Sequence, residues 1–192
     1  RGLGWDVELH ASAASAGRGT EFLRRQRRAV ERAVGGRVRL ARAHYLREGG
    51  TEYLAAGAGA GLRAEASYGF PDAEGFRRGT ALPWRPWDDA RETPLPLLCL
   101  PLHAMDVTLK AHRKYSPKDA HRSVRRLMAR CRESGGMAAL LWHPHNFDGR
   151  WGARWDALPL ELWETARAAR ARSWPMSRVV KAAEVWRWGW EA

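Results

Sequence analysis

The chain has 192 residues, 45% of them hydrophobic and 11 of them Trp, which excludes a disordered chain and suits one domain with a substantial core. No apolar run approaches the roughly 18 residues of a membrane span, so no spanning helix is expected. The net charge of +12 raises nucleic acid as a partner, yet the basic residues are 29 Arg and only four Lys (Lys110, Lys114, Lys118 and Lys181). With abundant Ala and Gly, that usage is the mark of a high-GC bacterial coding bias. The densest group, Arg24, Arg25, Arg27 and Arg28, shares a helix with Phe22, Leu23, Val30 and Val34. It reads as a solvated helix face, and no nucleic-acid partner is expected.

Taken in chain order, the pattern alternates strand and helix. The chain begins on Arg1, not Met, and the residues from Gly4 to Glu8 are already strand-like, so the domain (1–192, a single one) is expected to lack its N-terminal part. Val7–His10 is the first strand. Thr20 to Val34 is an amphipathic helix with Thr20 as N-cap, stopped by Gly35 and Gly36. Val38–Leu46 is the next strand, Thr51–Gly61 a short helix, and Leu62–Ser67 a strand. A loop from about Tyr68 to Pro96 follows, rich in Gly, Pro and aromatics; loops of that length inside a domain are usually functional. Leu97–Leu100 is a strand, with Asp106–Leu109 just beyond it. Ser116 caps a helix with Pro117 in its first turn and an apolar face of Val124, Leu127, Met128 and Cys131. Met137–Trp142 is the last strand, preceded by a glycine pair and followed by His143, Pro144 and His145. Two helices, about Leu158–Arg172 and Pro175–Trp190, complete the chain. Trp186, Trp188 and Trp190 alternate every two residues and so do not share one helix face. Alternating units of this kind predict an α/β fold with a parallel sheet, open or closed.

Three strands carry polar tips: His10 on the first, Arg42 and His44 on the second, His143 on the last. Strand C-terminal ends are where α/β proteins build sites. Asp106 follows a strand and suits a substrate-side role or a structural cap. Arg77 and Trp84 lie in the long loop, where a guanidinium meets sugar hydroxyls or phosphate and an exposed ring stacks on a sugar face. His145 reads as a loop residue, and His103, His112 and His121 as surface residues. Cys99 and Cys131 form no CxxC pair. Two buried free thiols are expected, which favours a reducing, cytoplasmic setting.

Five pieces together resemble the polysaccharide deacetylase family, in a divergent branch. They are Val7–Ser12 with His10; Arg42 to Leu46 with His44; Ser67–Phe70 with Gly75–Thr80; Pro101–Leu109 with Asp106; and Leu141–His143. The family removes N- or O-acetyl groups from carbohydrates. The resemblance implies an incomplete (β/α) barrel, a carbohydrate substrate, and metal-assisted hydrolysis with a divalent metal, zinc first among them. It matches His143 to the general-acid His, Arg42 to the Arg that orients the catalytic base, and His10 to the first metal His.

The departures are specific. Nothing upstream of His10 matches the family's early Asp pair, and Asp6, four residues before His10 on the same strand, cannot replace it. The second metal His falls at Ala14. The Pro of the third motif is His44, which as a neutral imidazole would serve as a replacement ligand. The alternative reading is a degenerate domain that keeps the fold and binds a glycan or a protein partner. The oligomeric state is open.

Overall fold

The structure, a computed structural model, describes residues 6–185. The opening residues up to Trp5 and the three alternating tryptophans, Trp186, Trp188 and Trp190, lie outside the described residues. The elements are β1 (Leu9–Ala11), α1 (Gly19–Val34), β2 (Leu40–Ala43), α2 (Gly50–Gly59), β3 (Ala64–Tyr68), β4 (Trp87–Asp88), β5 (Thr93–Pro94), β6 (Leu98–Pro101), β7 (Ala104–Met105), α3 (Pro117–Glu133), β8 (Leu140–Leu141), α4 (Ala153–Ala168) and α5 (Met176–Val185). The class is α/β with parallel strands, as the alternation predicts. Among the described residues the strands form one four-stranded and two two-stranded sheets. No helix among them is long and apolar enough to cross a membrane.

The chain packs as two compact units. One comprises the residues up to Tyr68, Pro83–Leu100 and the segment from Trp174. Its sheet has the order β1-β2-β3-β6, with β1 parallel to β2 and β2 parallel to β3. Parallel neighbours need a crossover, and α1 and α2 supply the two. α1 turns Leu23 into a core with Val38, Leu54, Leu62 and Leu97 and leaves its arginines on the other side. It stops at Gly35, which takes a left-handed φ of 61° and donates its N–H to the Glu31 carbonyl, the glycine stop that the sequence announces.

β2 is shorter than the expected Val38–Leu46. After Ala43 the chain enters a 3₁₀ turn, His44–Leu46, in which Tyr45 and Leu46 both take left-handed φ values (56° and 55°). A strand cannot continue through that conformation, and it is strained for residues with a Cβ. β3 is buried along its whole length, as befits a strand between two others, even though it carries Glu65 and Ser67.

The other unit comprises Gly69–Leu82 and Pro101–Ser173. β7 and β8 pair in parallel, with Ala104 opposite Leu140 and Met105 opposite Leu141. α3 and α4 pack together around Val124, Leu127, Trp155, Leu158 and Leu162. α3 begins as predicted: the Ser116 hydroxyl accepts from the Asp119 N–H at 3.2 Å, with Pro117 in the first turn. It ends at Gly135, again left-handed (φ 64°). β8 is shorter than the expected Met137–Trp142 because the run changes partners. The Met137 N–H donates to the Ala81 carbonyl and the Ala139 carbonyl accepts from the His103 N–H, so a ladder forms only beyond Ala139. Gly136 permits the first of these contacts: a Cβ there would stand 2.6 Å from the Ala81 carbonyl oxygen. Cys99 and Cys131 are both buried.

Candidate functional site

In the second unit the ends of β7 and β8 lie side by side, and the register explains what they deliver. Met105 faces Leu141, so Asp106 and His143 emerge from adjacent strand ends 37 residues apart in sequence. Asp106 opens a helical segment that continues as a π-helical turn, Thr108–His112, a feature often found at functional sites. Its carboxylate has no solvent exposure and is fully engaged. Oδ1 accepts from the Val107 N–H at 2.7 Å and contacts His143 Nδ1 at 2.7 Å. Oδ2 accepts from the His143 N–H at 2.7 Å and from Asn146 Nδ2 at 2.6 Å. Pro144–Phe147 form a 3₁₀ turn that brings the buried Asn146 back under the carboxylate.

The consequence for His143 is a fixed ring. Nδ1–H donates to Asp106, which sets the tautomer and leaves Nε2 as the atom that passes a proton outward. The side chain is about one-third exposed (34%), so Nε2 chemistry is accessible, and the exposed His145 ring lies 5.3 Å away. Asp106 is thus a holder of His143, with no surface of its own for substrate. Asn146 is a member of this cluster that the sequence reading passed over; its signal is the three-residue step from His143 through a Pro-initiated turn.

In the first unit, His10 and Arg42 face each other across β1 and β2, and His44 follows the end of β2. The His10 and His44 rings stand 5.0 Å apart, edge to face. Tyr45 stacks on His44 at 4.1 Å with the ring planes nearly parallel (9°), and is 70% exposed. Arg42 donates from Nε to the Ala66 carbonyl at 2.9 Å; burial lowers its guanidinium from the usual value, with Glu65 opposing. Arg77 is exposed and reaches the Gly69 carbonyl at 3.3 Å. Trp84 is 9% exposed, its ring edge-on to Tyr68 and its backbone bridged to Cys99; it packs the long loop onto the core. Tyr45, not singled out as a platform in the sequence, is the more exposed ring, with the Arg47 guanidinium 6.0 Å from its centroid.

Zinc, which the resemblance implies, finds no complete ligand set here. A catalytic site takes three protein ligands, and among the described residues no three His, Cys, Asp or Glu side chains gather to hold a metal. His10 and His44 supply two imidazoles only.

Glu65 is a further buried group. It accepts from the Ser67 hydroxyl and from Tyr53 Oη (3.3 Å), while Ser67 accepts from the Ala43 N–H at 2.7 Å. Burial pushes its carboxyl up to about 7, with Ser67, Tyr53 and Arg42 pulling it back. The folded chain therefore keeps a proton that the unfolded chain releases near 4.5, and stability falls as pH rises between those values. His103 is buried, contrary to the surface position expected, because its Nδ1 accepts from the Ala139 N–H beside β8. Burial lowers its ring to about 4 from 6.5, so its contribution is lost as pH falls through that window. The two slopes oppose each other in the parent chain. Glu65→Gln removes the first alone, and its stability relative to the parent is expected to rise from about pH 5 to about pH 8 by on the order of 3 kcal/mol. Urea unfolding at both pH values reads this. A difference independent of pH would show that Glu65 does not carry the proton.

No protein-family model matches the chain, and no curated protein matches it. Among solved structures, the crystal structure of a candidate polysaccharide deacetylase involved in O-antigen biosynthesis, from Bordetella bronchiseptica, is similar at 18% identity with a TM-score of 0.45. The match covers 93% of this chain and 68% of that one. A likeness this distant transfers neither activity nor residue roles.

Proposed function

We propose that the chain is a hydrolase of the carbohydrate deacetylase type, built on an incomplete (β/α) barrel and removing acetyl groups from an N-acetylated sugar or polysaccharide. The observation that carries this reading is the His143 ring, held from behind by a buried carboxylate and open in front. Water addition to an acetyl amide gives a tetrahedral species, and its C–N bond breaks only when the amine takes a proton. His143 Nε2–H gives that proton while Asp106 holds the ring at Nδ1 and balances the imidazolium charge before transfer. The family resemblance supplies the acetyl group and the sugar; the dyad supplies the acid. Zinc belongs to the reading through the resemblance, with His10 and His44 as the candidate ligands.

Tyr45 supports a sugar substrate. Its ring is stacked on His44, has the Arg47 guanidinium 6.0 Å from its centroid and is largely exposed; it sits on a strained turn, and an exposed ring of this kind suits stacking on a pyranose face. Tyr45→Ala is expected to raise KM for an N-acetylated oligosaccharide about tenfold with kcat little changed, the loss of roughly 1.4 kcal/mol of stacking. Loss of kcat with KM unchanged would contradict the platform role. The reading as a whole is tested by acetate release from an N-acetylglucosamine oligomer in the presence of divalent zinc. Release by the parent chain that disappears in His143→Ala supports it. No release, together with oligosaccharide binding that depends on Tyr45, would favour the second reading, a glycan-binding domain that keeps the fold without the reaction.

A further inference from the structure

We infer that the first unit carries a separate binding groove for an acidic polysaccharide, at the N-terminal ends of its strands. A cavity of about 1540 Å³ opens there, lined by eight basic side chains and three carboxylates. The cations come from distant parts of the sequence: Arg28 and Arg32 from α1, Arg39 from the start of β2, Arg178 and Lys181 from α5. Arg27 and Arg28, two of the four arginines that read in sequence as a solvated helix face, thus belong to one wall of a cationic groove.

The three carboxylates do not neutralise it. Glu8 accepts from the Arg39 and Leu40 N–H groups at 2.8 and 2.9 Å. Glu31 accepts from the Val38 N–H at 3.0 Å and lies 3.8 Å from Arg27. Glu184 pairs with Arg63 at 2.9 Å. Each is engaged in holding the groove's own walls. Among the described residues no carboxylate pairs with Arg28, Arg32, Arg39, Arg178 or Lys181, and all five are exposed. α5 is fixed in place from the other end of the chain, where Asp6 accepts from both the N–H and the hydroxyl of Ser177 at 2.8 Å.

Like charges gathered in a concave wall focus the field on an anionic ligand, and arginine forks match carboxylate and phosphate oxygens in pairs. Among the described residues no aromatic side chain lines the groove itself; Trp174 lies behind it, with the Arg178 guanidinium over its ring at 4.7 Å. Single-stranded nucleic acid would be bound by stacking its bases on aromatic rings, and a neutral sugar also needs a ring face to stack on. A glycan strand bearing carboxylate or phosphate groups needs neither, because its charges are read directly. The groove and His10 with His44 stand at opposite ends of the same strands, so the groove holds a strand of ligand away from that pair. This choice of a glycan rests on the carbohydrate reading of the protein above.

The test is fluorescence-polarisation binding of the full chain to labelled polygalacturonate, with labelled single-stranded DNA and a neutral N-acetylglucosamine oligomer as comparison probes. The variant is Arg28→Glu/Arg32→Glu/Lys181→Glu, three exposed positions whose reversal leaves the core untouched. Polygalacturonate binding is expected to weaken steeply with salt, since bound cations displace counterions, and to fall at least tenfold in the variant. The neutral oligomer is expected to bind variant and parent alike. DNA binding tighter than polygalacturonate at the same salt and lost in the variant would assign the groove to nucleic acid and overturn the proposal. Equal polygalacturonate binding by parent and variant would overturn it as well. Acetate release keeps the two readings apart: failure of the groove leaves it unchanged, and failure of the hydrolase reading leaves polygalacturonate binding unchanged.

Discussion

Replacing Asp106 with Ala is expected to cost about 3–5 kcal/mol of stability, the range for removing one partner from a buried charged cluster. The carboxylate gathers four donors: the backbone N–H groups of Val107 and His143, the His143 ring and the Asn146 amide. The half-buried His143 ring can turn to water, but the buried Asn146 amide finds no replacement acceptor in an alanine-sized hole, and a buried unpaired donor costs about 1–3 kcal/mol in its own right. That loss is a large share of the roughly 5–15 kcal/mol that holds a typical domain together. Asp106→Asn separates stability from chemistry. It keeps the shape and one acceptor oxygen but turns an amide N–H towards a donor, either the His143 ring or Asn146. A smaller destabilisation is expected, with acetyl hydrolysis reduced about 10²-fold or more because the imidazole loses its fixed tautomer. Urea midpoints and acetate release measure the two effects. If Asp106→Ala unfolds at the parent's midpoint, the cluster does not hold the ends of β7 and β8 together.

His143→Ala has the largest expected effect on activity. Proton donation by a positioned side chain contributes roughly 10²–10⁴-fold, and the variant should lose that much in kcat with little change in KM. Its fold should survive, because the side chain is only partly buried and its backbone N–H still donates to Asp106. A circular dichroism spectrum matching the parent's, beside a collapsed rate, is the expected pair of results. Acetate release at the parent rate would remove His143 from the mechanism, and the deacetylase reading would lose its central observation.

The legibility of the site in the sequence divides along a physical line. His143, His10 and His44 stand out because each lies at the end of a segment that reads as a strand, an uninterrupted apolar run in the case of His143, and such segments are local signals. What Asp106 does is not local. Its position after a strand leaves a cap and a substrate contact equally open, and only the parallel pairing of β7 with β8 turns it towards His143. Tyr45 was hidden by the apparent continuity of Val38–Leu46: the left-handed turn at Tyr45 and Leu46 has no glycine to announce it. Trp84 sits in an aromatic-rich loop that looks exposed in sequence, yet the bridge to Cys99 folds its ring against Tyr68.

By itself the sequence determined the start of α3, the glycine stops of α1 and α3, the α/β alternation, the buried cysteines and the residue types available for acid–base chemistry; it misplaced two starts, since α1 opens at Gly19 without a Thr20 cap and α4 at Ala153, ahead of the expected Leu158. What it determined follows from forces acting within a few residues: capping at Ser116, left-handed glycines at Gly35 and Gly135, and the periodicity of apolar side chains. Tertiary structure alone decided which of those residues meet. The Asp106–His143 pair, the buried Glu65 beside Ser67 and Tyr53, and the basic groove drawn from α1, β2 and α5 all depend on parallel strand register and on segments far apart in the chain. Register is fixed by the burial of whole strands, not by any residue's own preference, so these sites become visible only once the sheet is in place.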